Sequence, residues 1–378
     1  MIPFNKPTIT DLEKSYMLDS LGSNKLCGDG PYTKKVTKLF EEKFNIKNFL
    51  LTTSCSSALD MSAILLNLKE DDEVILPSYT FVSTANSVLL RHARPVFCDV
   101  EKDTMNIDAN LIERLITPKT KAIYCVHYAG VVCDMDKIMD IAKRHDLYVV
   151  EDAAQAVGSF YKGKVAGTIG DMGCYSFHET KNYSMGEGGA LIINNAKFLA
   201  RAEIIREKGT DRSQFLRGQV DKYTWQDAGS SFLPSDVLAA MLLGQIERFD
   251  EIMIKRMNIW NKYYNGLEDL EKDGFIERQK THPHNAHMFF IKTKDLQERT
   301  SLISFLKENG VAAAFHYVPL HSSPYAQKIL PIMPNLPNTT SESERLVRLP
   351  LFADLTTEEL NQVIDAIHKF YKERRIDA

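Results

Sequence analysis

The chain has 378 residues, and 46 Lys and Arg against 50 Asp and Glu leave a formal net charge of −4. An apolar content of 44% argues against a disordered chain. The absence of a net positive charge argues against a general nucleic-acid binder. No run approaches the roughly 18 apolar residues of a membrane helix, and residues 1–15 lack the layout of a signal peptide, so we expect a cytoplasmic protein.

Strand-like and helical patterns alternate between about residues 48 and 194. Several strand candidates are almost continuously apolar, which is typical of strands buried on both faces of a mainly parallel sheet. The predicted strands are Phe49–Thr52, Glu73–Leu76, Pro95–Val100, Lys121–Val126, Leu147–Asp152, Cys174–Phe177 and Ala190–Asn194. Apolar residues from Ala58 to Leu68 recur at helical spacing. This alternation predicts an α/β layered fold.

The pattern changes beyond about residue 236. The elements expected there are a helix over Asp236–Asn265, a strand over Ala286–Ile291, a helix over Ser301–Asn309, a strand over Ala312–Tyr317 and a terminal helix. The terminal helix opens with Thr356–Glu359, which fits a capping box. We therefore expect a large α/β domain, residues 1–245, followed by a smaller α+β domain, residues 246–378.

The cysteine and histidine spacings predict no metal site. Six cysteines occur, at positions 27, 55, 98, 125, 133 and 174, and none forms a Cys-x-x-Cys pair. Scattered cysteines in a long chain indicate reduced thiols that are mostly buried. The histidines considered were His127, His287, His316 and His321, and they lack ligand spacing within a helix or hairpin.

Two polar segments follow predicted strands. Thr52–Ser57 presents short hydroxyl side chains at the start of a helix, where they cap it or offer donors to an anion. Asp152 ends a buried strand, at the edge where open α/β sheets place ligands. There a carboxylate could hold a metal, a ribose or a protonated ring nitrogen, or it could cap the next helix.

A third segment supplies an amine. Ser176, His178 and Lys181 follow the strand Cys174–Phe177, and the glycine-rich Gly186–Gly189 comes shortly after. A loop lysine is usually a solvated charge. One type of cofactor, however, requires the groups that all three segments offer. Pyridoxal phosphate requires a lysine amine, an acid beside its pyridinium nitrogen and a phosphate cradle.

In that interpretation Lys181 supplies the amine, and Asp152 keeps the ring nitrogen protonated. An opposite charge about 4 Å away contributes on the order of 4 kcal/mol at an effective dielectric near 20, enough to hold that proton at neutral pH. The expected phosphate donors are Ser54, Cys55, Ser56 and Ser176. The segment Ser78–Phe81 follows a strand and offers an aromatic side chain for the ring face.

The order of these motifs resembles the DegT/DnrJ/EryC1/StrS sugar aminotransferase family through nearly the whole chain. The motifs that carry the resemblance are Leu26–Pro31, Pro77–Asn86, Val126–Gly130, Glu151–Gln155, Ser176–Asn182, His316–His321 and Arg348–Leu351. The resemblance implies the fold-type I, aspartate aminotransferase-like architecture of pyridoxal-phosphate enzymes.

The resemblance also implies individual roles. Lys181 matches the Schiff-base lysine, Asp152 the pyridinium partner and Gln155 the residue near the cofactor's phenolic oxygen. Phe81 matches the ring-stacking aromatic, and His178 lies close to cofactor and substrate. The cofactor-binding residues implied are Ser54, Cys55, Ser56, Phe81, Asp152, Gln155, Ser176, Lys181 and Ser231, and those implied for the sugar are Lys25, His316 and Tyr317.

The family implies a homodimer whose active sites share residues across the interface. Many members have an Asn in a Gly-x-Asn motif that reaches the neighbouring subunit's phosphate. In this chain the motif is Gly229–Ser231, so Ser231 stands at that position. A serine hydroxyl still donates one hydrogen bond.

Three further segments narrow the expected reaction. Within the family, Arg206–Thr210, Arg217–Trp225 and Gly229–Phe232 most resemble enzymes of surface-polysaccharide sugar synthesis, including O-antigen and common antigen. The implied reaction converts dTDP-4-dehydro-6-deoxy-D-glucose and L-glutamate into dTDP-4-amino-4,6-dideoxy-D-galactose and 2-oxoglutarate.

Other functions stay open. The same chemistry could give the gluco epimer, a 3-amino sugar or a GDP-linked product. A dehydratase of the family would carry a histidine in place of Lys181, and a non-catalytic relative would lack Lys181 or Asp152.

Overall fold

A seven-stranded sheet forms the centre of the larger part of the molecule in a computed structural model, which describes residues 1–330 and 332–376. The strands of the chain are β1 (Phe49–Thr52), β2 (Glu73–Pro77), β3 (Arg94–Cys98), β4 (Thr120–Val126), β5 (Tyr148–Asp152), β6 (Phe160–Tyr161), β7 (Lys164–Val165), β8 (Met172–Ser176), β9 (Gly189–Ile193), β10 (Glu277–Arg278), β11 (Phe289–Lys292) and β12 (Leu346–Leu349). The order in the large sheet is β1-β9-β8-β5-β4-β2-β3.

The large sheet is mixed but mainly parallel. Strands β8, β5, β4, β2 and β3 run parallel to one another, whereas β9 is antiparallel to both β1 and β8. Every residue of β2, β8 and β9 is buried, as expected when both faces of a sheet are covered. The α/β class predicted from the sequence is confirmed.

Helices pack against the large sheet and against the three-stranded sheet, and β6 and β7 form a separate two-stranded sheet. The helices are α1 (Asp11–Gly22), α2 (Pro31–Phe44), α3 (Cys55–Leu65), α4 (Val82–Leu89), α5 (Ala109–Ile112), α6 (Met135–Arg144), α7 (Leu199–Arg206), α8 (Arg212–Leu216), α9 (Asp236–Glu247), α10 (Phe249–Gly266), α11 (Glu268–Lys272), α12 (Leu296–Glu308), α13 (Ala326–Ile329), α14 (Pro337–Arg345) and α15 (Thr357–Ile376). Helix α9 packs against α1 and α2. It is apolar along its length, which suits a helix enclosed by other elements.

The three-stranded antiparallel sheet, ordered β10-β11-β12, has a core of its own. That core draws on α10, α12 and α15, and Ile2 of the N-terminal segment joins it. The capping box of α15 forms as predicted, because Thr356 and Glu359 each bond the other's backbone N–H, at 3.1 and 3.0 Å. The division into residues 1–245 and 246–378 stays a prediction.

Two predictions for the second half of the chain are wrong, one of a helix and one of a strand. The helix predicted over Asp236–Asn265 is interrupted at Arg248, because α9 packs on α1 and α2 whereas α10 contributes to the other core. The strand predicted over Ala312–Tyr317 does not form. Ala314 makes an isolated bridge to Arg348, and the chain then leaves the sheet. The ladder position beside β11 is taken by β12.

Two other predicted elements form, but they begin at different residues from those expected. The helix expected over Ser301–Asn309 spans Leu296–Glu308, because Asp295 caps it by accepting a 2.9 Å bond from the Glu298 N–H. The strand expected over Ala286–Ile291 begins only at Phe289. Among the described residues, no helix is both long and apolar enough for a membrane crossing.

Candidate active site

A cavity of about 390 Å³ lies at the carboxyl ends of β4, β5 and β8, where Val126, Asp152 and Ser176 line it. This is the edge at which open α/β sheets bind ligands. Most residues that the sequence singled out line this cavity: Ser54, Cys55, Ser56, Phe81, Asp152, Gln155, Ser176, His178, Lys181, His316 and Tyr317. Widely separated segments are therefore brought to one place.

Lys181 projects from the loop between β8 and β9. The loop is held by backbone hydrogen bonds, including Lys181 N–H to the His178 carbonyl at 2.9 Å and Phe177 N–H to the Gly188 carbonyl at 2.8 Å. Within the described chain, the Lys181 amine forms neither a hydrogen bond nor an ion pair. Removal from bulk water disfavours the ammonium form and lowers the pKa of Lys181.

Asp152 is fixed at the end of β5 by two donors. The Thr84 hydroxyl donates to Oδ2 at 2.7 Å, and the Ala154 N–H donates to Oδ1 at 3.2 Å. Burial raises the pKa of Asp152, and the bond from Thr84 opposes that rise. The carboxylate is thus oriented without a cation bound directly to it among the described residues.

Hydroxyl groups gather where α3 begins. Ser54 caps the helix by accepting a 3.0 Å bond from the Ser57 N–H, so the capping interpretation is correct. Ser56 lies beside it with its hydroxyl 2.6 Å from that of Ser83, which also lines the cavity. Free N–H groups at a helix start and nearby hydroxyls together favour an anion.

Gln155 joins two parts of the wall. Its Oε1 accepts a 2.7 Å bond from the Ala129 N–H, and its Nε2 donates to the Tyr317 hydroxyl at 3.1 Å. The Tyr317 ring lies 6.2 Å from that of Phe81, centre to centre. Phe81 is 56% exposed and precedes α4, so its ring is available to cover a flat ligand in the cavity.

Two histidines at the cavity are neutral. The His316 Nδ1 lies 3.0 Å from the Tyr128 hydroxyl, and the His287 Nδ1 lies 2.9 Å from Asn182 Oδ1. Burial lowers the pKa of both imidazoles well below the ordinary value. Their contribution to the site is therefore hydrogen bonding rather than charge.

His178 lies nearer the rim. Its Nδ1 is 2.9 Å from the Thr180 hydroxyl, and its Nε2 is 3.5 Å from a carboxylate oxygen of Glu187. Glu187 also lines the cavity, and its side chain is largely exposed. This pair therefore forms a more exposed part of the cavity wall.

Two predicted residues do not line the cavity. Ser231 is exposed and makes an isolated bridge to Glu207, and Lys25 is exposed in the loop after α1. The role of Ser231 at a neighbouring subunit's phosphate and the role of Lys25 in binding the sugar stay predictions.

Other residues at the site were not predicted to bind cofactor or substrate. Arg348, His287 and Phe4 line the cavity from distant parts of the chain, and Thr84 contributes through its bond to Asp152. Arg348 left a usable signal, because it is a charged residue inside the otherwise apolar strand Leu346–Leu349.

Cys125, His127 and Cys133 also come together, although their spacing predicted no metal site. Their ligand atoms lie within 4.8 Å of one another, and all three residues are buried. The His127 Nε2 lies 2.9 Å from Glu151, and its Nδ1 accepts a 3.2 Å bond from the Cys133 N–H. Both imidazole nitrogens are therefore already engaged by hydrogen bonds within the protein.

The cavity fits pyridoxal phosphate on the chemistry of its donors. The unpaired amine of Lys181 suits the aldehyde, the carboxylate of Asp152 suits a protonated ring nitrogen, and the α3 cradle suits a phosphate. Lys181 and Asp152 do not form an ion pair with each other. The amine and the carboxylate therefore both remain available to bind the cofactor.

Comparisons with known proteins agree with this donor set. The model of the DegT/DnrJ/EryC1/StrS aminotransferase family matches residues 7–368. An uncharacterized protein of Methanocaldococcus jannaschii is 35% identical over 99% of this chain and 98% of its own.

Solved structures are similar over the whole fold. A candidate sugar aminotransferase of Streptococcus pneumoniae in its PMP form has a TM-score of 0.91 at 27% identity, covering 99% of this chain and 100% of its own. An aminotransferase of Streptoalloteichus hindustanus has a TM-score of 0.91 at 28% identity, with the same coverage.

Proposed function

The chain belongs to the DegT/DnrJ/EryC1/StrS aminotransferase family of pyridoxal-phosphate-dependent sugar aminotransferases, and we propose a specific reaction for it. The amino group of L-glutamate is transferred to C4 of dTDP-4-dehydro-6-deoxy-D-glucose. The products are dTDP-4-amino-4,6-dideoxy-D-galactose and 2-oxoglutarate, and the amino sugar serves surface-polysaccharide synthesis.

The observation that carries this proposal is the unpaired Lys181 amine in one cavity with Asp152 and the hydroxyl cradle. When bound, pyridoxal phosphate supplies an electron sink for the negative charge that develops at the reacting carbon. Asp152 would hold the ring nitrogen, and Ser56 and Ser176 would hold the phosphate. Phe81 would cover one face of the ring.

Lys181 moves the protons. A lowered pKa gives the amine a larger neutral fraction at physiological pH, which a general base requires. The amine takes the proton from the α-carbon of glutamate and later delivers one to C4 of the sugar. Delivery from a single face decides between the galacto and gluco products.

The sugar and nucleotide are proposed from three segments that the structure places side by side. Glu207 bridges Ser231, and Thr210 bridges Trp225. The Arg206 Nη2 donates to both carboxylate oxygens of Asp29, at 2.8 and 2.7 Å. The segments that carry the closest sequence resemblance therefore form one surface together with the loop before α2.

We also propose a homodimer with shared active sites. Trp225 is 79% exposed and Tyr223 is 51% exposed, and both lie on this surface. Large exposed aromatics on one surface are typical of an interface. Light scattering on the holoenzyme tests this, with a mass of two chains expected and a single-chain mass counting against it.

The reaction is tested with purified holoenzyme, L-glutamate and three 4-keto sugars, linked to dTDP, GDP or UDP. We expect turnover with the dTDP sugar and an axial C4 amine in the product, identified by NMR. A preference for another nucleotide, an equatorial amine or amination at C3 would each replace the proposed substrate or product. No transfer to any of the sugars would contradict the proposed function as a whole.

A further inference from the structure

His287 lines the cavity, and the reaction described above gives it no part. It lies two residues before β11 and is 5% exposed. Its backbone is held from two sides, because its N–H donates to Asn285 Oδ1 at 3.1 Å and its carbonyl accepts a 2.7 Å bond from Arg256. The imidazole is therefore carried into the cavity wall on a fixed backbone.

Neighbouring amides decide which imidazole nitrogen of His287 carries the proton. Asn182 Nδ2 donates to the Asn285 carbonyl at 2.8 Å, so the other amide atom, Oδ1, lies 2.9 Å from His287 Nδ1. An amide oxygen only accepts hydrogen bonds, so Nδ1 is the donor of this pair. In a neutral ring the lone pair is then at Nε2.

This Nε2 is an unused acceptor. Burial lowers the pKa of His287 well below the ordinary value, and the positive charges of Lys181 and Arg348 lower it further, so the ring is neutral. Among residues 1–330 and 332–376, Nε2 has no hydrogen-bond partner. Because an unpaired polar atom in a buried side chain is costly, its retention in the cavity wall points to a ligand that donates to it.

The other histidines of the cavity do not offer the same acceptor. His316 Nδ1 lies 3.0 Å from the Tyr128 hydroxyl, which can donate or accept, so either tautomer of His316 fits. His178 Nδ1 accepts a 3.2 Å bond from the Thr180 N–H, and its Nε2 faces Glu187. At His287, by contrast, the neighbours fix both the neutral state and the free lone pair.

The chemistry of the substrates selects one group for this position. The Lys181 amine also lacks a partner, and it makes no hydrogen bond to His287 within the described chain. A group between the two must donate to the imidazole and accept from the ammonium, and a hydroxyl does both. The carboxylates of glutamate only accept, and its ammonium group only donates. In the proposed sugar, C4 must reach Lys181, and the adjacent carbon that carries a hydroxyl is C3.

We infer that His287 Nε2 accepts a hydrogen bond from the C3 hydroxyl of the keto sugar and thereby places C4 beside the Lys181 amine. The inference rests on the proposed transfer to C4 of a 4-keto sugar but not on the attached nucleotide. It makes His287 a determinant of sugar specificity, because a sugar without the C3 hydroxyl leaves the buried acceptor unpaired.

The test compares the proposed sugar with its 3-deoxy analogue, using enzyme preloaded with pyridoxamine phosphate and following cofactor absorbance. His287→Asn keeps an amide donor toward Asn182 but has no acceptor at the Nε2 position, whereas His287→Gln places its amide oxygen there. Wild type should prefer the hydroxyl-bearing sugar about 10- to 100-fold in second-order rate constant. His287→Asn should treat both sugars alike within about threefold, and His287→Gln should recover part of the preference.

Two controls separate this role from a structural one. Glutamate carries no hydroxyl, so its reaction with the pyridoxal-phosphate form should change less than about threefold in His287→Asn. His282→Asn alters an exposed histidine of the same segment and should match wild type with both sugars.

The inference is overturned if wild type does not discriminate between the sugars, or if His287→Asn discriminates as strongly as wild type. Equal losses with glutamate and with both sugars would assign His287 to structure instead. Wild-type enzyme that reacts with glutamate but with neither sugar would contradict the proposed acceptor and the inference with it. Failure of wild type to react with glutamate would contradict the proposed function itself.

Discussion

The Thr84 hydroxyl donates a 2.7 Å hydrogen bond to Oδ2 of Asp152, and both side chains are buried. The Thr84 oxygen also lies 2.8 Å from the hydroxyl of Thr80. A hydrogen bond to the ionised carboxylate favours that form, so Thr84 opposes the rise in pKa that burial imposes. The charge that we propose beside the ring nitrogen therefore depends on a residue of α4.

Replacing Thr84 with Val should shift the pH profile of kcat. Without the hydroxyl donor the pKa of Asp152 rises further, so the carboxylate is protonated at a higher pH and the acidic limb moves upward. We expect activity at neutral pH to fall about tenfold, the size of one lost charge-assisted bond. Thr84→Ser keeps the hydroxyl and should keep the wild-type profile. An unshifted acidic limb in Thr84→Val would mean that Thr84 does not support the charge.

Asp152→Asn removes the charge with little change of shape. An uncharged amide does not hold a proton on the ring nitrogen, so the cofactor becomes a poorer electron sink. Turnover should fall at least 100-fold, while far-UV circular dichroism stays that of wild type. Wild-type turnover in Asp152→Asn would remove the carboxylate from the mechanism.

Lys181→Ala should abolish turnover and leave a folded protein. The covalent role is located by adding pyridoxal phosphate, reducing with borohydride and mapping the labelled peptide. We expect the label on the peptide that contains Lys181 in wild type, and none in Lys181→Ala. A label on another lysine in wild type would refute the proposed attachment.

The sequence was sufficient to predict the site residues that end buried parallel strands. Asp152 and Ser176 end β5 and β8, and parallel strands bring their carboxyl ends to one edge. Lys181 follows β8 closely, so local spacing also places it at that edge. The family resemblance then supplied roles that spacing could not.

Long-range placements could not be predicted in the same way. Arg348 and His287 reach the cavity through the pairing of β11 with β12 and through the segment before β11, and no local pattern encodes these contacts. The strand expected over Ala312–Tyr317 is reduced to a bridge between Ala314 and Arg348 at the outer edge of β12, and the chain beyond it brings His316 and Tyr317 to the cavity.

Asp236 should make a large contribution to stability. Its fully buried carboxylate accepts bonds from the Tyr32 N–H at 3.0 Å and from the Thr33 N–H and hydroxyl at 2.8 Å each. These are unpaired donors of the first turn of α2, so Asp236→Ala leaves them buried without partners. We expect a loss of about 2–4 kcal/mol in the free energy of unfolding, measured by urea denaturation.

A matched change at a surface acid gives the control. Asp11→Ala removes a carboxylate whose side chain is 99% exposed in the first turn of α1, and it should cost less than about 1 kcal/mol. Equal losses in the two variants would mean that the buried cap adds no special stability.

Lys181→Met should stabilise the cofactor-free protein at neutral pH. The pKa of Lys181 is lowered in the folded state, so between that value and the unfolded value of about 10.4 the unfolded chain binds more protons. Wild-type stability therefore contains a penalty that is complete below the folded pKa and disappears as the pH rises through this window. Methionine carries no charge, so the variant should exceed wild type by on the order of 1 kcal/mol at pH 7 and by less at pH 10.

Urea denaturation of the two apoproteins at both pH values measures that difference. Lys294→Met serves as the control, because this lysine is exposed and its replacement should change stability by less than about 0.5 kcal/mol. A gain at pH 7 that persists unchanged at pH 10 would reflect apolar packing of the methionine alone. A gain that shrinks as the pH rises identifies the cost of keeping an unpaired ammonium in the cavity, and that cost is the physical reason why the amine is ready to act as a base.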